Sequence, residues 1–123
     1  MKRLLLAAAT LLGAYGTTTA NTMTVHNLTP CTYTLSTSAG TLLVVGPGTY
    51  TFTSSPDFVA TKIVYNYGLP GSISIGVGIP PGFPPYANSS AYSPGPACLT
   101  SSSFYTCSWA QSTPTADATL VIF

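Results

Sequence analysis

Charge is what this chain has least of. Its 123 residues include three Lys or Arg, two Asp or Glu and one His. Two of the basic residues, Lys2 and Arg3, stand at the very start, so the charged side chains beyond them are Lys62, Asp57 and Asp117 alone. A nucleic-acid binder has to neutralise several phosphates with Lys or Arg, and no such partner is expected. Glycoside hydrolysis by paired carboxylates would have to use Asp57 and Asp117 together, because no third acid exists. Structural zinc takes four Cys or His ligands at short paired spacings; with three Cys and one His, and neither C-x-x-C nor H-x-x-x-H, no metal is expected. Nor is a phosphate-binding cofactor, since Gly76-Val77-Gly78 runs into Pro80-Pro81 and not into a helix.

A long apolar run is also missing. Leu4 to Gly16 is apolar but far too short to cross a bilayer as a helix. Preceded by Lys2-Arg3 and followed by the small residues Thr18-Thr19-Ala20, it reads as a secretory signal peptide over residues 1–20, cleaved after Ala20. Residues 21–123 then form a single domain, secreted or periplasmic, with no membrane span after cleavage. Low charge alone would suggest disorder, but the many Val, Ile, Leu, Tyr and Phe supply a core, and Ser, Thr and Asn supply the solubility.

What the chain does have is alternation. Ser72-Ile73-Ser74-Ile75-Gly76-Val77-Gly78-Ile79 places β-branched residues on one face and Ser or Gly on the other. Thr49-Tyr50-Thr51-Phe52-Thr53 and Cys31-Thr32-Tyr33-Thr34-Leu35 repeat the scheme, with Thr toward water. Further strands are expected at Met23 to Asn27, Leu42 to Val45, Val59 to Asn66 and Ala118 to Phe123. Turn chemistry separates them at Ser38-Ala39-Gly40, Gly46-Pro47-Gly48 and Asn66 to Gly71. About seven short strands, each with one apolar face to cover, predict an all-β, small antiparallel β-sandwich, with a partly open barrel as the alternative.

Residues 80–97 break the pattern. They hold six of the eleven prolines, and each proline removes a ladder donor, so a long Pro/Tyr-rich loop is expected there. From this loop onward Phe83, Tyr86, Tyr92, Phe104, Tyr105 and Trp109 are interspersed with Ser, Asn, Gly and Pro. Tyr and Trp offer large amphipathic faces at low entropic cost, and the small polar residues supply adaptable hydrogen bonds. Phe83, Tyr86, Tyr92, Tyr105 and Trp109 are therefore the expected contact residues for a glycan or an extracellular protein surface. The same aromatics could instead fold back as a lid over one end of the sandwich.

An odd number of cysteines allows one internal disulfide. Cys98 and Cys107 lie closest in sequence and are expected to pair, leaving Cys31 as a buried, inert thiol on the face of Tyr33 and Leu35. His26 is the one histidine; with no nucleophile elbow nearby in sequence, catalysis is not expected, and a small hydrolase using His26 with Asp57 or Asp117 is the alternative. Thr49, Thr51 and Thr53, with Thr32 and Thr34 on another strand, form ladders like those of ice-binding surfaces but without their fixed repeat. Asn27-Leu28-Thr29 and Asn88-Ser89-Ser90 match the N-glycosylation sequon.

Val25-His26-Asn27, Cys31 to Leu35 and the following Pro47-Gly48 with its alternating strand resemble the opening strands of thaumatin-like proteins. The resemblance implies a secreted β-sandwich. It implies no activity, because that family's many cysteines and acidic cleft have no counterpart here. The expectation is a secreted, non-catalytic β-sandwich acting as a binding or surface-structural module. A subunit of an extracellular assembly that adds strands edge to edge is a further alternative.

Overall fold

The computed structural model describes residues 20–123, all β with no helix among them. The expected signal peptide falls outside the described residues, apart from Ala20. Nine strands follow in order: β1 (Asn21–Asn27), β2 (Tyr33–Thr37), β3 (Leu42–Val45), β4 (Gly48–Ser54), β5 (Ala60–Tyr65), β6 (Ile73–Gly78), β7 (Tyr86–Asn88), β8 (Thr106–Ala110) and β9 (Ala118–Ile122). They form two sheets, a five-stranded one ordered β4-β1-β9-β8-β7 and a four-stranded one ordered β3-β2-β5-β6. This architecture is consistent with a β-sandwich. Pairing is antiparallel throughout except between β1 and β9, which run parallel with Val25 beside Leu120. The first sheet is therefore mixed, not purely antiparallel as expected.

Period-two patterning decides which side chains face inward. On β1, Met23 and Val25 are buried while Thr22, Thr24 and His26 alternate outward. On β6, Ile73, Ile75 and Val77 turn in. The single core cluster draws Met23, Val25, Cys107, Trp109, Leu120 and Ile122 from one sheet and Tyr33, Leu35, Val45, Ile63, Ile75 and Val77 from the other. At ~25 cal/mol per Å² of apolar surface, each such side chain contributes about 1.5–3 kcal/mol when fully buried.

Two buried asparagines tie down the ends of β1. Asn21 donates from Nδ2 to the carbonyls of Phe58 (3.0 Å) and Ala116 (2.9 Å) and accepts from the Phe58 N–H. Asn27 donates to the carbonyls of Cys31 (2.8 Å) and Gly46 (2.9 Å) and accepts from Thr29. Each amide thus satisfies backbone groups that a turn would otherwise leave unpaired in the interior.

The proline-rich segment is a strap, not a free loop. Although proline cannot donate, it keeps its carbonyl. The carbonyl of Pro84 accepts from Gly78 N–H and that of Pro85 from Trp109 N–H, which launches the short strand β7 along β8. Ser89, fully buried, then donates its N–H to the Tyr105 carbonyl and accepts the Tyr105 N–H on its hydroxyl.

The strap also corrects the expected disulfide. Cys98 bonds to Cys31, with Cα atoms 5.4 Å apart, and not to Cys107. Cys107 sits in the middle of β8, paired with Ala87 on one side and Ile122 on the other, and its side chain points into the core. Meeting it would require the strap to enter the interior. Returning across the open end of the fold, the strap instead meets Cys31 just ahead of β2. The buried free thiol is thus Cys107, not Cys31, and burial pushes it well above the ordinary thiol range.

Candidate binding surfaces

His26 and the two aspartates are kept apart. His26 lies on the outer face of the first sheet, its Nδ1 3.1 Å from the Thr49 hydroxyl. Asp117 accepts the Thr22 N–H at 2.9 Å, and that bond holds its carboxyl below the usual range. Thr22 is four residues from His26 along β1, about 13 Å in an extended strand. Asp57 follows Ser54, whose partner Asn21 is at the end of β1 remote from His26. No three His, Cys, Asp or Glu side chains converge among the described residues. Nothing here assembles a histidine with a carboxylate.

The aromatic residues singled out by composition divide into two groups. Tyr105 and Trp109 do not reach the surface, which removes them as contact residues. Tyr105 stacks obliquely on Tyr33 at 4.7 Å, and its hydroxyl donates toward the carbonyls of Ile63 (2.9 Å) and Ile73 (3.2 Å), bridging β5 and β6 from inside. Trp109 buries its ring, and its indole N–H donates to Gln111 at 3.0 Å. Both serve the packing role that was the alternative for this segment. Phe83, Tyr86 and Tyr92 are 43%, 57% and 45% exposed, and the strap fixes all three.

These three point to different places. Tyr86, opposite Ser108 on β8, stands on the outer face of the first sheet. Tyr92 lies along the β6 edge, its hydroxyl donating to the Ser74 carbonyl at 3.2 Å, and walls a cleft of about 270 Å³ with Tyr65, Asn66 and Ser72. Phe83, with Pro84, walls a larger cleft of about 350 Å³ against the second sheet. Local chemistry holds Phe83 there: its N–H donates to the Ile79 carbonyl, and Gly78 clears the space beside it. A Cβ on Gly78 would come within 2.6 Å of the Ala60 Cβ and 2.8 Å of the Phe83 Cβ.

The floor of this cleft comes from residues that composition did not single out. Ser36 on β2, Lys62 on β5 and Gly76 on β6 form one cross-strand row, and all three line the cleft. Gly76 leaves a shallow place where a ligand can approach backbone, with the Lys62 stem alongside it. Ser38 accepts the N–H groups of Val59 (2.9 Å) and Ala60 (3.3 Å) and keeps its own hydroxyl proton free to donate. Lys62 is exposed and has no ion-pair partner among the described residues. The sequence signal was present: the one Lys after Arg3 occurs opposite a strand glycine. Its meaning required the register.

The threonine ladders also fall on separate sheets. Thr49, Thr51 and Thr53 join Thr22 and Thr24 of β1 and Thr119 of β9 on the outer face of the first sheet, while Thr34 lies on the second. No family model matches the chain, and neither curated proteins nor solved structures show a match to it.

Proposed function

We propose that this is an exported, non-catalytic binding domain that takes a glycan in the cleft between Phe83 and Lys62. The supporting observation is the combination in that one cleft of an exposed aromatic wall, an uncommitted ammonium and free hydroxyl donors over a glycine floor. A pyranose presents an apolar C–H face and an edge of hydroxyls, and this lining can meet both. The internal disulfide suits an oxidising compartment, and no described helix is long and apolar enough to cross a membrane. The disulfide agrees with export.

Calorimetric titration with a panel of oligosaccharides tests the reading. Phe83→Ala is expected to abolish detectable binding while leaving Tm within about 2 °C, since the removed ring is a surface one. Binding unaffected by Phe83→Ala refutes this site.

A second reading has its own observation. Edge strand β3 carries Leu42 and Val44 exposed on its outer side, and neither a charge nor a proline interrupts it. Such an edge can accept another strand, as an extracellular assembly would require. Concentration-dependent oligomers that Val44→Lys disperses would favour this reading, and a strictly monomeric protein would end it.

A further inference from the structure

We infer that Asn88 is an acceptor for an N-linked glycan and that Asn27, the other sequon asparagine, is not. Asn88 is exposed on β7, and Ala87 beside it packs toward the core, so alternation turns Asn88 to the outer face of the first sheet next to Tyr86. The Asn88 Oδ1 accepts the Ser90 N–H at 3.1 Å and also the Ser90 hydroxyl. This turn places the hydroxyl that the sequon demands on the carboxamide and leaves Nδ2 without a partner among the described residues. The motif alone is short, but here its two functional groups are joined and open to solvent.

Asn27 has the opposite surroundings. It is 2% exposed, and its Nδ2 hydrogens are both engaged, by the carbonyls of Cys31 and Gly46. A sugar on that nitrogen would replace one of these donors and would have to occupy the packed end of β1. A chain modified there cannot complete this fold.

In the reaction, Nδ2 of Asn88 attacks the anomeric carbon of an oligosaccharyl diphosphate lipid. A C–N bond forms, the C–O bond to the diphosphate breaks, the lipid diphosphate leaves with the electron pair, and one Nδ2 proton passes to a base of the transferase. The product glycan stands on the outer face of the first sheet. The cleft of Phe83 and Lys62 opens on the second, so the modification leaves it accessible.

The full chain, secreted from a eukaryotic host, provides the test. Intact mass and peptide mapping after amidase release are expected to show one glycan, with Asn88 converted to Asp on release. Asn88→Gln and Ser90→Ala are each expected to give secreted, unglycosylated protein with unchanged Tm, whereas Ser90→Thr retains the glycan. Secretion of unmodified wild-type protein, a glycan that survives in Asn88→Gln, or a folded product modified on Asn27 would each overturn the inference.

Discussion

Replacing both Cys31 and Cys98 with Ser removes the bond that fastens the strap to the start of β2. The bridged residues are 67 positions apart, and closing a loop of that length lowers the entropy of the unfolded chain enough to stabilise the fold by about 4.4 kcal/mol. A bridge between Cys98 and Cys107 would close only nine positions and contribute about 2.6 kcal/mol by the same relation. For a domain of this size, the loss corresponds to roughly 20–30 °C in Tm. Thermal and urea unfolding of the double variant under non-reducing conditions measures it directly. Because Cys107 takes no part, Cys107→Ser in the oxidised protein should lose far less, about 1 kcal/mol for a buried thiol made polar. The pattern across variants is therefore diagnostic: Cys98→Ser and Cys31→Ser should be equally damaging, and each should leave a second free thiol beside Cys107, countable once urea unfolds the chain. If Cys107→Ser matched Cys98→Ser in its loss, or if non-reducing peptide maps linked Cys98 to Cys107, the placement of the strap would be wrong.

Asn27→Ala should cost about 2–4 kcal/mol in chemical denaturation, because it strands the carbonyls of Cys31 and Gly46 in the interior; a loss under 1 kcal/mol would contradict their dependence on one amide. Cys107 should ignore an aromatic disulfide reagent at pH 8 and react stoichiometrically once urea unfolds the chain, burial having raised its thiol; reaction in the native state would refute this. Burial pushes the Tyr33 phenol up to about 12, whereas in the unfolded chain it ionises near 10. The stability tied to its neutral form is whole below pH 10 and declines as pH rises through 12. Tyr105 is raised in the same direction and steepens the decline, which unfolding titrations between pH 9 and 12 would register as a falling midpoint. Lys62→Gln should weaken binding of a uronic-acid oligomer about fivefold and leave its carboxyl-reduced counterpart unchanged, as expected of an exposed ion pair; equal effects on both would remove the charge from recognition.

Wherever apolar and hydroxyl residues alternate cleanly, the strands were legible. Ile73, Ile75 and Val77 face inward as their spacing demands, and Tyr50 and Phe52 lie against the core from the edge strand β4. Strand β8 was not legible, because Thr106-Cys107-Ser108-Trp109-Ala110 carries only two inward residues and neither is β-branched. The parallel pairing of β1 with β9 joins segments from opposite ends of the described chain, and no local pattern encodes it. The same holds for the disulfide, whose partner depends on where the strap returns. Composition found the aromatic cluster but could not divide it: Tyr105 is buried two residues after the exposed Ser103, and only the packing of Tyr33 beneath it decides that. The row of Ser36, Lys62 and Gly76 exists only after β2, β5 and β6 are in register.

Proline density, which argues against a central strand, also explains how this strap can present side chains to a ligand. A segment of donors and acceptors would be drawn into the sheet by both, and its residues would alternate between core and solvent. At its leading end the strap is fastened by acceptance: Pro84 receives Gly78 N–H at 2.9 Å and Pro85 receives Trp109 N–H at 2.8 Å. Each proline also fixes its own φ, which removes freedom from the unfolded chain. Phe83 therefore stays exposed while its backbone is held at Ile79 and Pro84. A ligand meeting that ring does not have to order the loop first, and such ordering otherwise costs about 0.5–1.5 kcal/mol for each mobile side chain immobilised. A strap of this kind can support recognition with very few charged groups, because the cleft is shaped before the ligand arrives.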